Sequence, residues 1–251
     1  MTARFVACMG ALTAILTACG SDVASDPSAP DTAVDHCTDP LKGSPTTVNA
    51  RELAFCQAEA LGKLAGYVQE DAVDGQLATR SRTNMDPLAV EIESFGGDGD
   101  AAGRVILVSG NTFVQRDGSW VQAASDSTDE TLAFQSTLPG RYEALLNPNV
   151  RAAGTDPALE YKVSGTDVVD GMPVTVLTLT VSDDADTLVS TIFIRDDYVV
   201  IRSESEYTVN GRESTRTATL TAVDEPQDII NPRFEDDEHR SQLADPILAG
   251  K

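Results

Sequence analysis

Two periods of apolar residues divide the chain. From Asn49 onward, apolar residues fall at Leu53, Cys56, Ala60, Leu61 and Leu64, the spacing of one helix face. Asn49-Ala50-Arg51-Glu52 precedes that stripe as a capping box, Asn at the cap and Glu three residues later. One amphipathic helix is predicted over 49–65, ending at Gly66. After Tyr67 the pattern becomes alternation. Strands are predicted at 88–94, 104–109 and 112–115, then at 159–169, 172–181, 188–194, 198–209 and 214–223. Asp117-Gly118, Asp170-Gly171 and Asn210-Gly211 stand between alternating runs, and such pairs accept the positive φ of a tight hairpin turn. Asp196-Asp197 separates another pair of runs. An antiparallel meander follows from this series. Residues 127–147 carry two short helical patterns, "DETLAF" and "GRYEALLN", around Pro139-Gly140.

The strand faces differ. In 200–208, Arg202, Glu204 and Glu206 alternate with Ile201, Ser203, Ser205 and Tyr207, so one side of the sheet is wet there. In 172–181 both faces are largely uncharged. The dry side meets apolar material, which the predicted helix supplies.

The first apolar run is of another kind. Phe5–Leu16 holds about 12 residues, too few for the roughly 20 a membrane span needs, and it matches the apolar part of an export signal. It exits through Leu16-Thr17-Ala18-Cys19, which resembles the lipobox of bacterial lipoproteins. In that family Cys19 is acylated and becomes the N-terminus after cleavage. The competing reading is an ordinary signal peptide with an incidental cysteine. Stable anchoring needs more than one acyl chain, and a diacylated Cys19 provides it. The expected location is the extracytoplasmic face of the cell membrane, with the membrane a partner through Cys19.

Four cysteines occur, at 8, 19, 37 and 56. With Cys8 in the signal and Cys19 lipidated, Cys37 and Cys56 are left as a pair in an oxidising compartment, where a disulfide persists. Two free buried thiols are the alternative. Metal binding is disfavoured because no ligand set has metal spacing.

Composition sharpens the boundaries. Residues 19–48 are small, acidic and rich in Pro and Ser, a flexible linker behind the lipidated cysteine; 233–251 is a second polar tail. The folded domain is expected at 49–232, with residues 1–18 removed as signal. The net charge of −22 comes from 40 acidic and 18 basic residues. Such a surface repels nucleic acid, which is excluded as a partner.

Catalytic chemistry has no obvious carrier. His36 lies in the linker and His239 in the tail, so the domain offers no histidine for a nucleophile–base pair. "GGDGDAAG" (96–103) lacks the spacing and the Lys-Ser/Thr of a phosphate loop and reads as a hairpin loop. The acidic clusters at 183–186 and 235–238 lack the EF-hand pattern. The expectation is a protein that is not an enzyme and needs no cofactor or metal.

The order of lipobox, linker, one helix and a long meander resembles the LolA-like lipoproteins, most of all the actinobacterial LppX/LprG branch. "VILVSGNTFVQRDGSW" (105–120), "DGMPVTVLTLTV" (170–181) and "VDEPQDIINP" (223–232), the last as a closing strand, carry the resemblance. It implies an α+β fold, mostly antiparallel β, in which a curved half-barrel sheet packs on one or more helices. It further implies that a lipid or other apolar ligand lies between sheet and helix. Wall candidates are Leu53, Leu61 and Leu64 with Val176, Leu177, Leu179, Ile192 and Ile194, and an ordinary filled core is the alternative for each. A second function in the same fold is an envelope sensor or interaction lipoprotein that binds a protein or peptide partner.

Overall fold

The structure is a computed structural model describing residues 36–183 and 186–232. The signal segment, Cys19, the start of the linker and the tail lie outside the described residues. A three-residue strand, β1 (Thr47–Asn49), leads into α1 (Ala50–Leu61). Six strands follow: β2 (Gly66–Val73), β3 (Gln76–Met85), β4 (Leu88–Phe95), β5 (Ala101–Val108), β6 (Asn111–Arg116) and β7 (Ser119–Gln122). Then come α2 (Glu130–Gln135), α3 (Leu138–Leu146) and α4 (Pro148–Ala153). Five strands complete the chain: β8 (Glu160–Val169), β9 (Met172–Ser182), β10 (Thr187–Ile194), β11 (Val200–Val209) and β12 (Arg212–Thr221).

All twelve strands form one antiparallel sheet in the order β1-β8-β9-β10-β11-β12-β2-β3-β4-β5-β6-β7. It is an open, curved sheet with β1 and β7 at its edges, and it matches the expected fold class. Two meanders, β2–β7 and β8–β12, are joined by one long-range pairing, β12 with β2, running from Arg216↔Val73 to Thr221↔Val68. The predicted turns at Asp117-Gly118, Asp170-Gly171 and Asn210-Gly211 all have positive φ at both residues. Asp74-Gly75, with φ of 50° and 80°, is a further turn of this kind between β2 and β3.

α1 begins as predicted. The Asn49 side chain accepts from the Arg51 and Glu52 amides at 3.0 and 3.3 Å, and its Nδ2 donates to Pro157 O at 2.9 Å. The helix ends earlier than predicted, at Gly62. Gly66 instead opens β2, and the position requires glycine because a Cβ there would lie 2.5 Å from Thr83 O and 2.7 Å from Glu225 O. The expected closing strand at 223–232 is also corrected. β12 ends at Thr221, and the chain continues as an irregular strap. Asp224 N donates to Gly66 O at 2.9 Å, and the Asn84 side-chain amide exchanges two hydrogen bonds with the Gln227 backbone, at 2.6 and 2.8 Å. Asn84 takes the place of a strand partner, so no ladder forms. Pro139-Gly140 does not separate two helices but lies in the first turn of α3, where the missing proline N–H costs nothing.

The chain ahead of α1 is fastened to the domain. Cys37 and Cys56 form a disulfide with Cα atoms 4.8 Å apart. Tyr198, held at φ 69° in the β10–β11 turn, donates its hydroxyl to Asp39 Oδ1 at 2.5 Å and accepts from Leu41 N at 3.2 Å. Burial, then the Asp39 carboxylate, pushes the Tyr198 phenol up to about 12.

Two measurements follow. Reducing the Cys37–Cys56 bond opens a loop of about 20 residues and is expected to cost about 3 kcal/mol in urea denaturation, without abolishing folding. Asp129 caps α2 and accepts two bonds from Arg116 at 2.6 and 3.2 Å, and its carboxyl is held at about 2 against an ordinary 3.8. Because the folded value is depressed, this contribution is present above the ordinary value and is lost as pH falls through about 2. A carbon-detected NMR titration is expected to place Asp129 there, and Arg116→Leu to return it toward the ordinary value.

Candidate ligand site on the inner face

The register shows what each face of the sheet carries. One inner row runs Leu177, Ile192, Ser203, Ala218, Asp71, Thr79 from β9 to β3. Another runs Leu220, Gln69, Ser81, Ile92, Val105, Val114 from β12 to β6. The second row is apolar at both ends and polar at Gln69 and Ser81, whereas the first is apolar at Leu177 and Ile192 and polar at its other end, Asp71 and Thr79. The two flanks carry separate apolar clusters. In the first, Leu53, Cys56, Leu61 and Leu64 from α1 and its C-terminal turn pack with Val48, Leu177, Ile192, Ile194 and Ile201. In the second, Leu138, Tyr142 and Leu145 of α3 cover Val90, Ile92 and Leu107. α3 straddles the divide, because Leu146 packs against the first cluster.

Of the wall candidates, Leu53, Leu61, Leu64, Leu177, Ile192 and Ile194 therefore come together in one buried cluster. Leu179 is buried on the same face, beside Ser190 and outside that cluster. Val176 pairs with Phe193 on the opposite face. Period two separates it from Leu177, so these two residues cannot line the same wall.

The polar strip between the clusters is buried and bonded. Asp71 accepts from Arg216 Nη2 at 3.0 Å, Gln69 Nε2 at 2.8 Å and Thr79 Oγ1 at 3.2 Å. Its side chain is 6 % exposed. Buried Tyr67 lies on the same face of β2, and burial raises its phenol pKa. Burial likewise raises Tyr142, across the strip on α3. Near this strip, Arg151 of α4 donates from Nη2 to Gln57 Oε1 of α1 at 2.8 Å. Sequence reasoning missed Asp71, Arg216 and Arg151. The phase of alternation offered a signal for Asp71, since Tyr67, Gln69 and Asp71 share one face. α4 is only six residues long, too short for periodicity to expose Arg151.

The outer face is charged and paired. Glu91, 2 % exposed, accepts from Arg104 Nε at 2.6 Å and Arg82 Nη1 at 3.2 Å, while Arg104 also lies over the Trp120 ring at 5.4 Å. Arg80–Glu70 and Arg202–Glu204 continue the pairing at 2.8 and 2.5 Å. A cleft of about 430 Å³ opens beside this cluster, among Glu93, Arg104, Gln115 and Asp117. The 96–103 glycine-rich stretch closes the β4–β5 hairpin there, with Gly96 N donating to Asp100 O at 2.8 Å. His36, the one histidine among the described residues, is exposed.

No family model and no curated protein matches this sequence. Solved structures do. The Mycobacterium tuberculosis lipoprotein LppX is similar at 15% identity, covering 71% of this chain and 97% of its own, with a TM-score of 0.44. LprF from Mycobacterium bovis is similar at 13% identity, covering 73% and 96%, with a TM-score of 0.47. A LolA superfamily protein from Nitrosomonas europaea is similar at 9% identity, covering 76% and 99%, with a TM-score of 0.27.

Asp71→Asn leaves Arg216 without its counter-charge and is expected to destabilise the protein by about 3 kcal/mol in urea. The double variant Asp71→Leu, Arg216→Leu removes both charges and is expected to lose distinctly less. Equal losses would show that the cost lies in packing and not in the stranded charge.

Proposed function

We propose that this protein is an extracytoplasmic lipoprotein, held at the membrane by acylated Cys19, that binds a lipid or another apolar ligand between the inner face of its sheet and its helices. The observation that carries this reading is the divided interior. A domain that only had to be stable gains most from one continuous apolar core. Here two apolar clusters flank a polar strip, and α3 bridges them. An amphiphile needs both environments: tails gain about 0.8 kcal/mol per buried CH₂, and a head needs hydrogen-bonding partners. Leu53, Leu61, Leu64, Leu177, Leu179, Ile192 and Ile194 form the apolar wall in this reading, and Val176 does not.

The acidic surface and the tether fit the same location. An anchored domain with a net charge of −22 is repelled by anionic headgroups, which holds it off the membrane plane. A binding role needs no histidine, and the one described lies outside the domain's interior.

The test is native mass spectrometry of the full chain carrying Cys19→Ser, which cannot be acylated there. The protein is mixed with envelope lipids and repurified without detergent. A discrete mass shift, identified as lipid on extraction, is the expected result. A clean apo mass from folded, disulfide-bonded protein would overturn the lipid reading in favour of a protein- or peptide-binding role. Wild-type chain is expected to sediment with membranes, and Cys19→Ser to release it.

A further inference from the structure

Arg151 has a charge that its surroundings do not balance. Nη2 donates to Gln57 Oε1, a neutral acceptor. Nη1 is shut off from solvent and has no hydrogen-bond partner among the described residues. The other arginine of the inner face, Arg216, has the Asp71 carboxylate at 3.0 Å. Arg151 has tyrosines instead: Tyr67 of β2 and Tyr161 of β8 are the titratable groups within electrostatic reach. Burial pulls the guanidinium down to about 10.

Placing a guanidinium there without a counter-ion is costly. The residue as a whole is half-buried, but a donor shut off from water without a partner still costs free energy, and native structures hold few of them. A guanidinium offers five donors and no acceptor, in a planar fork that fits a carboxylate or a phosphate. The position selects the form of the anion. α4 follows α3 directly, where Leu145 and Leu146 meet the two apolar clusters. The chain's net charge of −22 opposes anions of every kind, and only an apolar tail brings burial energy that offsets that repulsion.

We propose that Arg151 receives the anionic headgroup of the bound lipid, through the planar Nη1 side of its guanidinium. This rests on the lipid-binding reading and specifies the ligand class: an amphiphile with a carboxylate or phosphate head, its tails against the apolar clusters. Tyr67 and Tyr161 flank the head as neutral phenols.

The experiment uses the full chain carrying Cys19→Ser, with calorimetric titration of dodecanoate, dodecyl phosphate and dodecanol. A charge-assisted pair is expected to make at least one anionic amphiphile bind about tenfold tighter than dodecanol. Which of the two anions binds tighter identifies the head. Arg151→Met is expected to abolish the difference between the anions and dodecanol, and Arg151→Lys to keep part of it. The urea midpoint of ligand-free Arg151→Met is expected to equal or exceed that of the wild type, because the stranded charge is gone. If dodecanol binds as tightly as both anions, or if the preference survives in Arg151→Met, the assignment fails while the lipid reading stands. If none of the three binds, the lipid reading fails as well. Displacement of dodecanoate by inorganic phosphate would make this a free-anion site and overturn the headgroup assignment. A lowered urea midpoint with an unchanged preference would make Arg151 structural. Should Arg151→Met fail to fold, the Arg151→Lys titration decides: an undiminished preference would overturn the assignment.

Discussion

β2 and β12 lie far apart in the chain and side by side in the centre of the sheet. Their pairing turns two local meanders into one sheet, and it is the contact of greatest sequence separation between neighbouring strands. Such a contact must offset a long loop closure, which local hairpins avoid. Several bonds therefore converge on it. Asp74 accepts from the Thr215 amide at 2.7 Å and from Ser214 Oγ at 3.1 Å, while its own amide donates to Thr215 O at 2.9 Å. Those bonds hold the Asp74 carboxyl below its usual range. Asp71 and Arg216 add a buried ion pair across the same seam, and the 224–227 strap ties off its far end.

The seam also decides what the interior becomes. α1 covers the β8–β12 half and α3 covers the β2–β7 half, so each meander has its own apolar cluster. Where the halves meet, Tyr67 and Leu220 join the α1 cluster, and the polar side chains begin beside them at Gln69 and Asp71. Of these, Asp71 is bonded across strands by Arg216 and Thr79, while Arg216 Nε is buried without a hydrogen-bond partner. Buried ion pairs of this kind seldom improve stability over a well-packed apolar replacement.

The N-terminal fastening serves the same plan. α1 is the lid of the first cluster and makes few hydrogen bonds to the sheet. It is held at its cap by Asn49, whose side chain also reaches Pro157, and at mid-helix by the disulfide to Cys37. Tyr198 then pins the intervening segment to the β10–β11 turn. The strained φ of this tyrosine is offset by the two hydrogen bonds its hydroxyl makes. The lid is thus clamped to the half of the sheet it covers, and the other half is left to α3.

What the sequence determined by itself is whatever local chemistry encodes. The helix start at Asn49 is an effect of side chain on neighbouring amides. The hairpins at Asp117, Asp170 and Asn210 depend on two residues that tolerate positive φ. The period-two runs of β9 to β12 record which residues face inward, and Cys37 had one plausible partner. β2 and β3 were harder to read, because their inward positions are Gln69, Asp71, Thr79 and Ser81, and polar residues on both faces erase the alternation. Tertiary structure alone decided that β12 pairs with β2, since no local signal names a partner so distant. It also decided that Val176 leaves the wall where Leu177 stays, that Gly66 begins a strand under a crossing strap, and that an arginine on a six-residue helix ends up beneath α1 without an acid. Each of these depends on atoms brought together from separate parts of the chain, and only the folded arrangement gives them a common place.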